Sequence, residues 1–440
     1  MVSIFKSFKR SALGAAVPHY KNTADMTTEK LPLPAKLIVP MQMHIGAPCT
    51  PCVKKGDAVL VGSVIGKAGG FVSADIHSGV SGVVDGIETR MFPNGSNVAC
   101  VVITPDGNQT VSEDVKPPVV TDHESFVAAI RASGLVGLGG AGFPTAVKLS
   151  PKDLSAIDTL LINGAECEPY ITADAREFAE HPEDVMSGIE AVQKYLGIKN
   201  VIIGIERNKP EAIDIMLSLT KNVQNVSVKP LESRYPQGAE KILIERCTGR
   251  EVPQGGLPSD IGVIVMNVAS VAFVSKYLKT GMPLVTKRLT VDGDIVKEPK
   301  NVEAIIGTPY VELINFCGGL TAPLGKLIMG GPMMGTAAMS MEFPVLKQNN
   351  ALLAFSLAKA ELAKPGSCIR CGRCINGCPM GLSPVEIAGA FTKGNVEALN
   401  VLKTDLCMEC GTCSFVCPAK RPVTQTMRLA KAMQRNGGKK

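Results

Sequence analysis

The chain has 440 residues, which suits several domains rather than one small core. Hydrophobic residues make up 45% and support packed interiors, whereas aromatics reach only 4% and tryptophan is absent, which argues against a base-stacking surface and against nucleic-acid partners. The formal net charge of +6 is modest, and no run approaches the roughly 18 apolar residues that a membrane-spanning helix needs.

The chain opens MVSIFKSFKRSALGAAVPHY. Lys6, Lys9 and Arg10 interrupt its apolar residues and no small-residue cleavage site follows, so 1–35 reads as an N-terminal segment without a secretion signal, on a cytoplasmic protein. Residues 36–115 alternate short apolar runs with Gly and Asp turns, the pattern of a small β domain. The stretch resembles the barrel-sandwich hybrid of biotinyl and lipoyl carriers, but SADIHSG carries no counterpart of the carrier lysine, so no acylation is expected. His77 in that stretch reads as a turn residue. Cys49 and Cys52 form a CxxC with no second pair nearby, and the isolated Cys100, Cys247 and Cys317 read as small buried hydrophobes.

Residues 120–278 alternate strand and helix. Strands are expected at 158–163, 201–206, 226–231 and 261–266, with helical patterns over 181–197, 209–220 and 238–247. Such alternation implies a mostly parallel sheet covered by helices, in a Rossmann-like α/β domain. Ahead of it lies GLVGLGGAGFPTAVKL, 134–149, in which Gly137, Gly139 and Gly142 match G-x-G-x-x-G. A dinucleotide fingerprint should follow a strand, whereas this one follows the helix-like ESFVAAIRAS, so the motif alone does not establish a nicotinamide site. Glycines leading into a helix start still offer bare N–H groups to a phosphate; a plain flexible turn is the alternative.

Residues 284–345 read as strand, turn, strand and helix, followed by a tight apolar loop, MGGPMMG, at 329–335. Residues 355–425 hold two matching cysteine runs. Cys368, Cys371, Cys374 and Cys378 precede Pro379, and Cys407, Cys410, Cys413 and Cys417 precede Pro418, both with C-x2-C-x2-C-x3-C-P spacing. This is the bacterial ferredoxin pattern, in which the fourth cysteine of each run serves the other cluster. Two 4Fe-4S clusters are therefore expected, one on Cys368, Cys371, Cys374 and Cys417, the other on Cys407, Cys410, Cys413 and Cys378. Structural zinc would need only two CxxC pairs. SPVEIAGAFTKGNVEALNVLK between the runs reads as two short helices, hence a helical ferredoxin module. In the tail, 426–440, Arg428, Lys431, Arg435, Lys439 and Lys440 occur without an acid. It reads either as a solvated terminus or as a contact for an acidic partner or membrane surface.

GLGGAGFPTAVK followed by LLINGAECEPYITAD resembles the flavin site of the NADH-binding flavoprotein subunit of respiratory NADH dehydrogenases. With the two cysteine runs and the order of domains, the chain resembles the RnfC subunit of the Rnf electron-transport complex over nearly all of 18–425. The resemblance implies a barrel-sandwich hybrid, a flavin domain, a β-grasp module over 284–345 and a two-cluster ferredoxin domain. It implies FMN and NAD(H) as further cofactors. Gly137, Gly139, Gly140, Gly142 and Lys148 would line the FMN phosphate and ring, Asn163 would contact the flavin, and Asn267 would lie beside its phosphate. Glu166 and Glu168 would border the nicotinamide nucleotide with Phe143 stacked on it, and Tyr235, Gly238 and Glu240 would form a second wall. Leu138 stands where the flavoprotein family usually has Arg, and Ala165 replaces an acid of that family. The resemblance further implies ferredoxin:NAD oxidoreduction coupled to sodium or proton transport. It places the chain peripherally on the cytoplasmic side of the cell membrane, with membrane-embedded subunits and a ferredoxin-accepting iron–sulfur subunit as partners. A microcompartment cobalamin reductase shares the flavin and cluster parts but begins near the glycine loop. A cluster-bearing scaffold that binds no nucleotide is the reading from another class.

Overall fold

The computed structural model describes residues 14–437. The expectations attached to residues 1–13, and to Lys439 and Lys440, lie outside the described residues.

Four parallel strands form the sheet of the central domain, in the order Val226–Leu231, Asn200–Glu206, Thr159–Gly164, Val263–Asn267. Thr159–Gly164 is buried almost throughout, as a parallel strand covered on both faces must be. The covering helices carry their own start and stop signals. Pro182–Leu196 opens on proline and stops at Gly197 in the left-handed conformation. It packs so closely on Val268–Thr280 that a Cβ at Gly188 would stand 1.9 Å from the Val271 carbonyl oxygen. From Thr159–Gly164 the chain goes first to one neighbour and later returns on the other side. That reversal puts the carboxyl ends Asn163 and Asn267 side by side in register, at the topological switch where open α/β sheets bind ligands.

The N-terminal β region is built from two antiparallel sheets. One orders Leu37–Pro40, Asn97–Pro105, Gly82–Met91 and Ala58–Val59; the other orders Thr50–Pro51, Val64–Lys67 and Ile76–His77. His77 is thus a buried strand residue rather than the expected turn residue. Burial, assisted by nearby Lys347, pulls its imidazole down to about 3 and keeps it neutral.

A six-stranded mixed sheet orders Glu29–Lys30, Lys300–Ile305, Thr286–Gly293, Ala351–Ser356, Leu324–Met329 and Thr336–Ala337. Two of these strands come from outside 284–345. Glu29–Lys30, from the N-terminal segment, pairs with Val302 and Glu303 at one edge, and Ala351–Ser356 lies in the interior between Thr286–Gly293 and Leu324–Met329.

The C-terminal module is helical, with Pro384–Thr392 and Val396–Val401 between the cysteine runs as their sequence implies. Its small core includes Ile387, Leu399, Met427 and Ala430. The last two belong to helix Val423–Arg435, so most of the basic tail is a packed amphipathic helix rather than a solvated terminus. Among the described residues no helix is long and apolar enough to cross a membrane.

Candidate functional site

The glycine loop sits at the carboxyl end of the parallel sheet. Gly137 N–H donates to the Phe143 carbonyl at 2.9 Å and closes the loop, while Gly142 holds φ at +69°. A Cβ at Gly139 would fall 2.3 Å from Asn267 Nδ2, so the strand end and the loop approach too closely for any side chain there. Gly140 faces open space, and Phe143 beside it is half-buried. Behind the loop, Ile45 N–H from the N-terminal β region donates to the Gly142 carbonyl at 3.3 Å. Leu138, the departure from the flavoprotein pattern, is buried, and its N–H donates to Ser270 Oγ at 3.0 Å.

The helix following the loop, Thr145–Lys148, is a single turn. Its last residue is anchored firmly: Lys148 Nζ donates to the Val265 carbonyl at 2.8 Å and to Glu240 Oε2 at 3.1 Å. Asn163 Nδ2 donates to the Gly238 carbonyl at 2.8 Å, and Asn267 caps helix Val268–Thr280 while donating from Nδ2 to Asp174 at 2.7 Å. Gly137, Gly139, Gly140, Gly142, Lys148, Asn163, Gly238, Glu240 and Asn267 therefore gather around one switch point. The open space at Gly140, beside the close approach of Gly139 to Asn267 and near Lys148 and Asn163, fits the phosphate and ring edge of a flavin mononucleotide.

The segment 165–171 leaves the same sheet. Glu166 adopts φ +49° and is buried; one carboxylate oxygen accepts from Asp174 N–H at 2.6 Å and the other has no hydrogen-bond partner among the described residues. Two lysines hold the segment from beneath. Lys21 Nζ donates to the carbonyls of Glu166 and Glu168, each at 2.9 Å, and to that of Ile171. Lys209 Nζ donates to the Ala165 carbonyl at 2.6 Å and pairs with Glu206 at 3.5 Å. Burial raises the Glu166 carboxyl and lowers the Lys21 ammonium. Neither lysine was among the sequence candidates. Lys209 lies just past the carboxyl end of Asn200–Glu206, a place the switch-point rule flags; Lys21 comes from an N-terminal stretch with no pattern of its own.

Glu168 and Tyr235 connect this site to the cysteine module. The Glu168 carboxylate accepts from Met333 N–H at 3.0 Å and Met334 N–H at 2.8 Å, and burial pushes its carboxyl up to about 7. The same loop reaches the second cysteine run, since a Cβ at Gly411 would stand 2.9 Å from the Met333 carbonyl oxygen. The MGGPMMG loop thus lies between the 165–171 segment and that run. Tyr235 is buried with Ala15, Val17 and Cys410, and its hydroxyl donates to the Cys410 carbonyl at 2.6 Å. Cys167 belongs to the same apolar group, and burial pushes its thiol up to about 12.

Cys378, Cys407, Cys410 and Cys413 line one small cavity with Leu382 and Met427. Leu382 N–H donates to the Cys378 sulfur at 3.3 Å and Glu409 N–H to the Cys407 sulfur at 3.4 Å. Burial pushes the Cys413 thiol up to about 12 and raises those of Cys378 and Cys407, so these three stay protonated until iron displaces their protons. Among the described residues no three Cys, His, Asp or Glu side chains converge as they would on a single ion. Four thiols around a shared cavity, with amide donors at two sulfurs, match the donor set of a 4Fe-4S cluster. In the other set Cys368 and Cys371 are exposed and Cys374 and Cys417 half-buried. Gly366 N–H donates to the Ala419 carbonyl at 2.8 Å, which brings the start of the first run beside the segment that follows Cys417.

Comparison with known proteins matches four stretches of the chain. Family models match at 9–108 (RnfC barrel sandwich hybrid domain), 130–276 (Nuo51 FMN-binding domain), 288–337 (SLBB domain) and 367–422 (4Fe-4S dicluster domain). The C subunit of the Na(+)-translocating ferredoxin:NAD(+) oxidoreductase complex of Acetobacterium woodii is 42% identical over 383 residues, covering 85% of this chain and 86% of its own. The C subunit of the proton-translocating ferredoxin:NAD(+) oxidoreductase complex of Clostridium ljungdahlii is 41% identical over 367 residues, covering 83% and 80%. The C subunit of the ion-translocating oxidoreductase complex of Rhodobacter capsulatus is 39% identical over 384 residues, covering 86% and 74%. Among solved structures, a chain of an NAD+-reducing NiFe-hydrogenase in the air-oxidized state aligns with a TM-score of 0.51 at 17% identity, over 71% of this chain and 63% of that one; this is a likeness of fold.

Proposed function

This chain belongs to the RnfC family, the C subunits of ion-translocating ferredoxin:NAD(+) oxidoreductase complexes, and from that premise we propose that it is the subunit where NAD(H) exchanges electrons with the complex through FMN and two 4Fe-4S clusters. FMN, when bound, supplies the conversion between two-electron hydride exchange and the one-electron chemistry of iron–sulfur clusters. Gly137, Gly139, Gly140 and Gly142 offer their backbone to its phosphate, with Lys148 and Asn267 beside them, and Asn163 orients the ring. Glu166 and Glu168 border the nicotinamide nucleotide opposite Phe143, while Tyr235, Gly238 and Glu240 close the far wall. The observation that carries this reading is the Tyr235 hydroxyl on the Cys410 carbonyl at 2.6 Å. One side chain joins the wall of the nucleotide site to a cluster ligand, so electrons leaving the flavin meet a cluster without crossing solvent.

The assembly is completed by membrane-embedded subunits and a ferredoxin-accepting iron–sulfur subunit, and this chain sits peripherally on its cytoplasmic side. Relatives of similar identity are named for sodium and for proton translocation, so the coupling ion is assigned to those partners. The test is an anaerobic NADH titration of the reconstituted protein, followed by visible absorbance and low-temperature EPR. Bleaching of a flavin band together with reduced-cluster signals is the expected result. Intact clusters beside a site that binds no FMN and ignores NADH would leave an electron-passing scaffold. Lys148→Ala is expected to release FMN, read as flavin fluorescence in the filtrate, with the iron content unchanged.

A further inference from the structure

The two cysteine runs differ in how their charges are paired and how far they are covered. No acid occurs from 362 to 385, whereas Lys364, Arg370 and Arg373 do, and all three are exposed. Among the described residues none of the three forms an ion pair. Residues 361–370 are exposed throughout and lack regular secondary structure, and Cys368 and Cys371 are exposed with them. Leu362 at 83% and Ile369 at 68% exposure place bare apolar surface among these cations. In the second run the residue matching Arg370 is Glu409, with the same left-handed backbone (φ +54° and +60°). Its carboxylate is already paired with Arg428 at 3.2 Å and Lys431 at 3.0 Å. The second run is also covered, by Tyr235 on one side and the 329–335 loop on the other.

Resting on the reading above, we propose that the face carrying Cys368, Cys371, Lys364, Arg370 and Arg373 is the electron port of this chain, and that its occupant is an acidic iron–sulfur electron-transfer protein. The set of Cys378, Cys407, Cys410 and Cys413 is then the inner station, next to the nucleotide site. Unpaired cations around an apolar patch attract and orient an acidic surface, raising the encounter rate more than the final affinity, which suits a small, short-lived redox interface. Each encounter passes one electron to one oxidised iron–sulfur centre of the occupant. Oxidation of one NADH to NAD+ releases one proton to solvent and serves two such encounters.

The full-length reconstituted protein, reduced either by NADH or photochemically by deazaflavin, is mixed in a stopped-flow instrument with an oxidised acidic bacterial ferredoxin. Cationic cytochrome c serves as the opposite-charge control. For the wild type the ferredoxin rate should fall about tenfold between ~10 mM and ~500 mM salt. In Lys364→Glu/Arg370→Glu/Arg373→Glu it should be about tenfold slower at low salt and rise with salt, while cytochrome c reacts faster than with the wild type. The milder Lys364→Gln/Arg370→Gln/Arg373→Gln variant should shift both rates in the same directions, and iron content and EPR spin counts show that each variant keeps both clusters. An unchanged ferredoxin rate and salt dependence in cluster-replete variants would overturn the port. So would flotation of the wild type, but not the variants, with vesicles of ~30% phosphatidylglycerol if ferredoxin kinetics stay unaltered; that result would make the face a membrane contact. Failure of NADH to reduce the clusters would count against the nucleotide reading instead, since photoreduction tests the port without it.

Discussion

Cys368–Cys378 and Cys407–Cys417 are wound on the same backbone. Each run has a left-handed residue, Arg370 or Glu409, then a left-handed glycine, Gly372 or Gly411, then a four-residue helix, Arg373–Asn376 or Thr412–Phe415. The ligand geometry of a cubane cluster demands that much repetition. What differs is everything the cluster does not touch. Cys410 is buried under Tyr235, and Glu409 is paired with two cations of the last helix, whereas Cys371 is exposed and Arg370 has no ion pair among the described residues. The repeat sets where iron is held; the unmatched residues set which run is covered and which lies exposed.

Removing one thiolate from each run breaks the comparison most strongly. Cys410→Ala is expected to abolish reduction of any remaining cluster by NADH, while dithionite still reduces it. Cys371→Ala should leave one cluster fully reducible by NADH. EPR spin quantitation reads both, and equal losses would erase the distinction between an inner and an outer station.

The next contrast sets one lysine against another. Lys21→Met strips a cation from three backbone carbonyls under the 165–171 segment, which should cost about 3 kcal/mol in chemical denaturation and weaken NADH binding. Lys364→Met, at the exposed first run, should change stability by less than about 0.5 kcal/mol. Tyr235→Phe sharpens the difference on a smaller scale. It leaves the buried Cys410 carbonyl without its donor and should cost about 1–2 kcal/mol, seen as a lower thermal midpoint with FMN retained.

A separate contrast is a pH dependence at Glu168. Burial raises its folded-state carboxyl to about 7, above the ordinary value of 4.5. The folded protein therefore keeps this proton longer than the unfolded chain. The stability it contributes is complete below the unfolded value and is lost as the pH rises through about 7. Glu168→Gln should flatten that decline, so urea midpoints of wild type and variant should diverge steadily from about pH 5 to about pH 7.

Much of the site was legible because its chemistry is local. Cysteines at fixed spacing, a glycine loop and the strand-helix alternation of the central domain each depend on residues a few positions apart, whose geometry a turn or a helix enforces wherever it is placed. The helical linker between the runs and the strands at 159–164, 200–206, 226–231 and 263–267 followed from the same kind of signal. The misread elements lack such a signal. Glu29–Lys30 is two polar residues that become a strand because Lys300–Ile305 offers an open edge. His77 stands in a turn-rich stretch and is buried by strand pairing and by the approach of Lys347, far along the chain. The tail reads as charge until Met427 and Ala430 find Ile387 and Leu399.

The sequence by itself therefore determined the cysteine spacing, the glycine loop and the strand-helix alternation, since those depend on covalent spacing and backbone freedom. Only the tertiary structure decided how the modules serve one another. Lys21 enters under the 165–171 segment, Tyr235 reaches Cys410, and Glu168 grips the 333–334 backbone, each across more than 140 residues of chain. Contacts at that separation leave no periodic trace in sequence, because they are selected by packing between finished elements rather than by the turn geometry of neighbouring residues.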